Sequence, residues 1–257
     1  MDHPPKPPKA ERQERILAEL RSTPSLRVAE LAASLGVSTE TIRRDLDELT
    51  TRGLLNRTYG GAIRPAAQEP ALAERHQMLT AERTAIARAV SALVRPGQVL
   101  AIGSGATTVH VARRLAAEQR DLTVITHAFG IATVLAHNPT ITILFCPGHY
   151  NGREGSTYGA HTVRFLNEFR VDHTILGATG LTEEGASDAN ADSAAVYQAM
   201  IARAANTIIA ADHTKFGRAA LALYAGWEQV SHCVTDRAPD GALAASIRRY
   251  GVELLVA

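Results

Sequence analysis

Residues 37–62 read VSTETIRRDLDELTTRGLLNRTYGGA, and this stretch decides the fold of the amino-terminal part of the chain. Ser38 can cap a helix, and the apolar residues that follow it recur at helical spacing. Residues 53–62 then have the pattern of a small hairpin with a glycine turn. The stretch therefore predicts a helix followed by a wing. The buried stripe of that helix consists of Ile42, Leu46 and Leu49.

Two amphipathic helices are predicted before this one. Gly36 stands where the C-terminal cap of the second helix belongs, so a tight turn joins that helix to the one that starts after Ser38. Such a pair suits the major groove of DNA, because one helix can enter the groove while the other braces the backbone. The pattern predicts a winged helix-turn-helix. The earlier apolar stripes are Ile16, Leu17 and Leu20 in the first helix and Val28, Leu31, Ala32 and Leu35 in the second.

The exposed face of the third helix carries the candidate DNA contacts. The alternative interpretation is a solvated face on which Arg43 pairs with Asp47 and Arg44 pairs with Glu48. Two features favour DNA: small hydroxyl residues begin the helix, and residues 49–68 contain arginines but no acid. The predicted contacts to bases or phosphates are Ser38, Thr39, Thr41, Arg43, Arg44 and, in the wing, Arg57.

The whole stretch resembles the DeoR family of bacterial sugar-metabolism regulators. The resemblance rests on residues 37–46 and on the residues of the wing. Where the family usually has His, this chain has Tyr59, which keeps an aromatic donor in the wing and completes the predicted DNA-binding set. The resemblance implies that double-stranded operator DNA is the partner of this domain. The matching residues beyond position 46 are Leu49, Gly53, Leu55, Arg57, Gly60, Gly61 and Ala62.

The chain has 257 residues, which is enough for two domains. Its first residues, MDHPPKPPKA, contain prolines that cannot start a helix and lack the apolar stretch of a secretory signal peptide. No apolar run approaches the roughly 20 residues of a membrane span. We therefore expect a cytoplasmic protein that makes no membrane contact. The predicted organisation is a disordered arm at residues 1–10, the winged helix-turn-helix domain at 11–64, a linker at 65–73 and a sensor domain at 74–257.

The larger domain alternates short apolar runs with helical stretches. A long helix is predicted at about residues 74–94 and is followed by apolar runs separated by helices, which indicate a mostly parallel sheet covered on both faces. The predicted fold class is α/β, with a Rossmann-like sensor domain after the winged helix-turn-helix. The apolar runs are residues 99–102, 122–126, 141–145, 174–176, 207–211, 233–235 and 252–256.

A turn of small residues follows the first of these strands. Residues 103–108, GSGATT, lead into a helix, where backbone N–H groups and the positive end of the helix dipole attract an anion. The loop is not a dinucleotide fingerprint, because Thr108 takes the position of the third glycine and His127, not an acid, follows the second strand. A plain tight turn is the alternative. In an anion site, Ser104, Thr107 and Thr108 would add hydroxyl donors.

The resemblance to the DeoR family continues through this domain. It implies a sensor fold similar to ribose-5-phosphate isomerase and a small effector, a phosphorylated sugar or related metabolite, bound at residues 104–108. Lys215 lies in a matching motif, and its ammonium group would lie over a pocket at the carboxyl ends of the strands. The alternative for Lys215 is a solvated surface lysine. The predicted effector-binding residues are Ser104, Gly105, Ala106, Thr107, Thr108, His127 and Lys215.

Several positions depart from the family pattern, and they cluster at the presumed sugar pocket. The resemblance implies Asp at 103, Thr at 106, Asn at 127, Glu at 193 and Lys at 197. We therefore expect an unusual effector. The residues that this chain has in those places are Gly103, Ala106, His127, Ser193 and Tyr197.

No metal site and no cofactor are predicted. Cys146 and Cys233 each stand in an apolar run, which suits buried thiols better than a disulfide or a metal site. The ten histidines show no zinc spacing. Residues 188–192 imitate the start of a calcium loop, but Ser193 and Ala199 stand where that loop needs Gly and Glu.

Two functions fit these features. One is a DNA-binding regulator, a repressor of a carbohydrate-utilisation operon, which we expect to be a homo-oligomer (dimer or tetramer) because one small winged helix contacts too little DNA. The other is a sugar-phosphate isomerase or deaminase with an appended DNA-binding domain, in which Asp212 or His127 would serve as acid or base. We expect the regulator and not the enzyme.

Overall fold

The computed structural model describes residues 8–22, 25–51, 55–58, 61–63 and 72–257. The chain divides into two compact units between residues 68 and 69. The predicted linker lies mostly outside the described residues, as does most of the predicted arm. The first helix begins at Lys9, two residues inside that arm, where the Lys9 ammonium group bonds Glu48 at 2.6 Å.

The first unit contains three helices and a small antiparallel sheet. Gly36 adopts the left-handed conformation (φ 64°) at the end of the second helix, and Ser38 Oγ accepts the backbone N–H of Thr41 at 3.2 Å at the start of the third, so both predicted caps are confirmed. The first strand, absent from the prediction, pairs with the wing hairpin in the order β1-β3-β2. The elements are α1 (Lys9–Ser22), β1 (Ser25–Arg27), α2 (Val28–Leu35), α3 (Thr39–Thr51), β2 (Asn56–Thr58) and β3 (Gly61–Ile63).

The apolar stripes of α1, α2 and α3 meet in one core, as predicted. A buried ion pair completes the packing: the Arg12 guanidinium of α1 bonds the Asp45 carboxylate of α3 through Nε and, at 3.0 Å, through Nη2. The hydrogen bonds that Arg12 donates to Asp45 raise the pKa of Arg12. The pair connects α1 to α3 and thereby fixes the position of the helix that is predicted to contact DNA. The buried core residues are Ile16, Leu20, Leu26, Val28, Leu31, Ala32, Leu35, Ile42, Leu46, Leu49 and Leu55.

The second unit is built around a parallel sheet of seven strands in the order β15-β14-β12-β9-β4-β5-β6. Each of the apolar runs predicted from the sequence overlaps one of these strands, so the prediction of a parallel α/β fold is confirmed. The strands of the sheet are β4 (Val99–Ile102), β5 (Thr123–Thr126), β6 (Thr142–Phe145), β9 (Val171–Leu176), β12 (Ala204–Ala210), β14 (His232–Thr235) and β15 (Glu253–Val256).

Helices cover both faces of this sheet. Alternate residues of a strand point to opposite faces, so Leu100 and Ile102 of β4 belong to one core cluster and Ala101 to the other. The first cluster includes residues of α5, α6 and α7, and the second includes residues of α8, α9 and α10. No described helix is long and apolar enough to cross a lipid bilayer. The helices are α4 (Leu72–Arg75), α5 (Thr80–Leu93), α6 (Ala106–Glu118), α7 (Phe129–Leu135), α8 (Ala160–Leu166), α9 (Ala191–Ile201) and α10 (Gly241–Arg249).

Two small antiparallel sheets, which the sequence analysis missed, flank the central one. A hairpin joins β7 to β8, and a three-stranded sheet has the order β10-β11-β13. Residues 188–192, which imitate a calcium loop, instead lead into α9, where the Asn190 side chain caps the helix by accepting the N–H of Asp192 at 2.8 Å. The strands are β7 (His149–Asn151), β8 (Ser156–Tyr158), β10 (Gly180–Thr182), β11 (Gly185–Asp188) and β13 (Ala222–Gly226).

The single helix predicted at residues 74–94 is wrong, because the chain turns between α4 and α5. Leu79, the residue before α5, adopts a left-handed conformation (φ 51°) that interrupts the helix. The Arg83 guanidinium bonds two carbonyls at the break: its Nη1 donates to the Met78 carbonyl at 2.7 Å and also to the Arg75 carbonyl. An arginine on the buried face of α5 therefore holds the turn.

Candidate functional site

The outer face of α3 presents the side chains predicted to contact DNA. Ser38 and Thr39 are exposed and Thr41 is half-buried. The side chains of Arg43 and Arg44 are 58% and 77% exposed, so both guanidinium groups can reach a ligand without rearranging the core.

The ion pairs of the alternative interpretation do not form as predicted. Arg43 and Arg44 both approach Glu40, with N–O distances of 3.9 and 3.5 Å. Glu48 instead bonds Lys9 and, at 3.0 Å, the side chain of Gln13. Exposed pairs of this kind contribute at most about 1 kcal/mol, so Glu40 is a weak competitor for a phosphate.

The wing is present as the antiparallel pair β2–β3, in which Arg57 lies opposite Ala62. The Arg57 side chain and the whole of Tyr59 lie outside the described residues. Their DNA contacts stay predictions.

The loop at residues 103–108 joins the carboxyl end of β4 to the first turn of α6. Gly105 has a φ of 142°, which side-chain-bearing residues rarely adopt. Helical hydrogen bonding begins where Val109 N–H donates to the Gly105 carbonyl at 3.1 Å, so the helix itself does not use the preceding three N–H groups. These N–H groups, on Ala106, Thr107 and Thr108, stand at the positive end of α6. The predicted anion site has its backbone donors here.

Ser104 is fixed by hydrogen bonds to His127 and Tyr197. Its N–H donates to His127 Nε2 at 3.1 Å. Tyr197 donates its hydroxyl hydrogen to the Ser104 carbonyl at 2.9 Å, so the 3.0 Å contact between the two hydroxyls is donated by Ser104 Oγ. Both predicted donors of Ser104 are therefore used inside the protein, and the residue shapes the loop.

His127 is fully buried below the loop. Its Nδ1 lies 2.7 Å from the Thr157 carbonyl and must donate there, because its Nε2 accepts the Ser104 N–H. Burial lowers the pKa of His127 to about 4, so the ring is neutral at pH 7. With both ring nitrogens engaged, His127 supports the loop and presents no polar atom to an effector.

Two of the departures from the family pattern, Gly103 and Tyr197, are neighbours. A Cβ atom at residue 103 would lie 2.7 Å from Tyr197 Cε1 and 2.7 Å from Leu176 Cδ2. The Tyr197 ring, which packs edge-on against Tyr224 at 5.1 Å, fills the space that an Asp at 103 would need. Burial raises the pKa of Tyr197. The two positions are therefore in direct contact, which the sequence alone did not reveal.

Lys215 lies in a 3₁₀ turn, His213–Lys215, after β12 and is only 9% exposed, so it is not a solvated surface lysine. Asp212, the residue before this turn, is fully buried and accepts the N–H of Thr214 at 3.2 Å. Arg83 Nη2 approaches the Asp212 carboxylate at 3.5 Å. Arg83 therefore connects α5 to the segment that carries Lys215.

Sequence reasoning missed Arg83, although a signal was present. Arg83, Ile86, Ala87 and Val90 occupy successive positions of one apolar stripe, and all four are buried. An arginine in such a stripe must find partners inside the protein, because a buried unpaired charge is strongly unfavourable.

Known proteins match both units. Residues 12–68 match the DeoR-like helix-turn-helix domain, and residues 79–237 match the DeoR C-terminal sensor domain. The chain is 30% identical over 247 residues to the transcriptional repressor CsqR of Escherichia coli K12, covering 95% of this chain and 94% of that protein. It is 31% identical over 248 residues to the transcriptional repressor GlcR of Bacillus subtilis 168, covering 96% and 95%.

A third relative is the glycerol-3-phosphate regulon repressor of Haemophilus influenzae, 31% identical over 232 residues and covering 90% of each chain. Solved structures with some likeness include ribose 5-phosphate isomerase A of Methanocaldococcus jannaschii, with a TM-score of 0.39, 16% identity and coverage of 52% of this chain and 53% of that chain. The fold assignment rests on the sheet topology. With both domains matched in their expected order, the chain belongs to the DeoR family of DNA-binding transcriptional regulators.

Proposed function

We propose that this regulator is a repressor that binds operator DNA through α3 and the wing and is released by a phosphorylated sugar or related metabolite. The observation that carries the proposal is the position of the candidate anion donors in the sensor sheet. The first turn of α6 follows β4, and Lys215 follows β12, with only β9 between these strands. Strands lie about 4.8 Å apart, so the two loops start about 10 Å from one another, a span that a lysine and a small anion can bridge.

The relatives support the same interpretation. Those named above are repressors, and one carries glycerol 3-phosphate in the name of its regulon. A metabolite with a phosphate fits the N–H groups at the start of α6, because a helix N-terminus favours an anion.

Catalysis by the sensor domain is the weaker candidate function. An isomerase or deaminase needs a placed acid or base. His127 has both ring nitrogens bonded, and the Asp212 carboxylate is engaged with Arg83 and Thr214. Gly103 and Tyr197, which replace the Asp and Lys implied by the family resemblance, have no carboxylate or amine to offer. These features favour a binding site without turnover.

The proposal includes a cytoplasmic homo-oligomer. Two winged helices on a repeated site multiply affinity through effective concentration, which gives the selectivity that one small domain lacks. A monomer that binds its operator tightly at unit stoichiometry would contradict this part.

The test combines a thermal-shift screen of phosphorylated metabolites with DNA release. A ligand that binds only the folded state raises the melting temperature, and the hit is then titrated into preformed complexes of the protein with its operator. Lys215→Ala should require at least about tenfold more ligand for release, since one charge-assisted hydrogen bond is lost. The matched control is Arg218→Ala, an exposed cation three residues away. Equal release by both variants, or release by none of the metabolites, contradicts the proposal.

A further inference from the structure

A cluster of basic side chains lies where α4, α5 and α6 meet. Arg83 belongs to α5, His110 and Arg113 belong to α6, and His76 lies in the turn between α4 and α5. Burial, together with the charges of Arg113, Arg83 and His76, lowers the pKa of His110 to about 4. Burial also lowers the pKa of His76, with contributions from Arg113, Arg75 and Arg83. The side chains are thus close enough to repel one another.

Three buried nitrogen atoms of this cluster have no hydrogen-bond partner among the described residues: His76 Nδ1, Arg83 Nε and His110 Nε2. The residues Arg83 and His110 are 4% and 8% exposed. A buried polar atom without a partner is unfavourable by about 1 to 3 kcal/mol, so an arrangement that leaves several of them on three adjoining segments needs an explanation.

Carboxylates bond only some of the nitrogen atoms in this cluster. Asp212 lies 3.5 Å from Arg83 Nη2, and Glu154 bonds Arg75, the residue before His76. Both interactions use the outer nitrogens of an arginine and leave the histidine atoms and Arg83 Nε unmatched. An external anion would satisfy them.

The cluster adjoins the candidate anion donors of the proposed function. His110 lies one turn after Ala106 and Thr107 on the same face of α6, and three residues of helix rise about 4.5 Å. Arg83, through Asp212, leads to the segment of Lys215. One phosphate-sized group can therefore contact the first turn of α6 and the unpartnered histidine.

We propose that this basic cluster completes the site for the effector's anionic group, and that His110 takes up a proton when that group binds. The inference rests on the proposed function and refines it. An anion beside His110 favours the protonated ring and raises its pKa. Binding is then strongest below the pKa of His110 in the free protein, weakens as the pH rises from that value to the raised pKa of the complex, and is independent of pH above it.

Nuclear magnetic resonance of the full chain with ¹³C-labelled histidine tests this directly. The ring signals are followed from pH 4 to 8 in sodium sulfate and in sodium chloride of equal ionic strength. Sulfate keeps its two charges over that range, so any difference comes from the protein. We expect the pKa of His110 to be at least about one unit higher in sulfate, with the exposed His137 as internal reference. The same titration in both salts would overturn the inference.

His110→Gln and the matched control His137→Gln give a second measurement. Sulfate should raise the melting temperature of the wild type and of the control more at pH 4.5 than at pH 8, whereas His110→Gln should show equal shifts. If His110→Gln does not fold, the wild-type titration decides alone. Release of operator DNA by a metabolite together with an unchanged His110 titration overturns only this inference. A sulfate-dependent titration without any releasing metabolite overturns the proposed function instead.

Discussion

The two units differ in whether their candidate functional cations are exposed or buried. In the DNA-binding unit the buried cation, Arg12, is paired with a buried carboxylate, and the candidate functional cations, Arg43 and Arg44, stand in solvent. In the sensor unit the candidate functional cations, Arg83 and Lys215, are themselves buried. The difference fits the ligands that we propose for the two units. A long polyanion such as DNA binds to an exposed surface, whereas a small anion can offset the cost of desolvating a site that encloses it.

Asp45→Ala should have the largest effect, because it removes the buried carboxylate that pairs with Arg12. Loss of one partner of a buried pair destabilises by about 3 to 5 kcal/mol. In urea, far-ultraviolet circular dichroism should show an early transition. The fluorescence of Trp227, the sole tryptophan and buried in the second unit, should keep its midpoint.

The control for this variant is Glu14→Ala, which removes an exposed acid of α1. A loss of stability below about 1 kcal/mol in Asp45→Ala would mean that the buried Arg12–Asp45 pair contributes no more than an exposed one, and the contrast between the units would fail.

Gly103→Asp tests the buried side of the comparison. The new side chain collides with the Tyr197 ring and Leu176, so the second unit should lose at least about 1 to 3 kcal/mol, seen in the Trp227 transition. Adding Tyr197→Lys removes the ring and supplies a cation, and should restore part of the loss. Strictly additive effects of the two substitutions would show that the positions are not coupled.

Some parts of the fold and of the candidate site could be predicted from the sequence, and others could not. The strands of the large sheet were found because strands buried on both faces are continuous apolar runs, such as Val99–Ile102. Short strands such as Gly180–Thr182 have no such run, and nothing in the sequence around Leu79 marks a turn. In the site, the local motif at 104–108 was visible, whereas the contacts of Tyr197 with Ser104 join residues far apart in the chain.

Arg44→Ala sharpens the exposed side of the comparison. If Arg44 contacts a base, operator affinity should fall by about 1 to 3 kcal/mol.

Arg57→Ala should instead weaken binding to all DNA sequences about equally. It should also reduce the slope of log affinity against log salt concentration by about one. Affinities are measured over a series of salt concentrations on an operator that the wild type selects from random DNA. Wild-type affinity in both variants would remove α3 and the wing from the interface.

Glu40→Gln should have the smallest effect. It frees Arg43 and Arg44 from their shared acid and removes a negative charge from the DNA-facing surface, so operator affinity should rise by about 0.2 to 1 kcal/mol at low salt. Glu30→Gln, an exposed acid in the first turn of α2, is the control. A fall in affinity would mean that Glu40 positions the arginines and does not compete for them.

The order of strands in the large sheet has a consequence for folding during synthesis of the protein. β4 is flanked by β5 and β9, and the sheet continues beyond β9 only through strands made later still, down to β15 at the end of the chain. Pairing over such sequence distances is slow, whereas the first unit folds from local contacts and leaves the ribosome first. During synthesis, we therefore expect the DNA-binding unit to fold before the sheet of the sensor unit is complete.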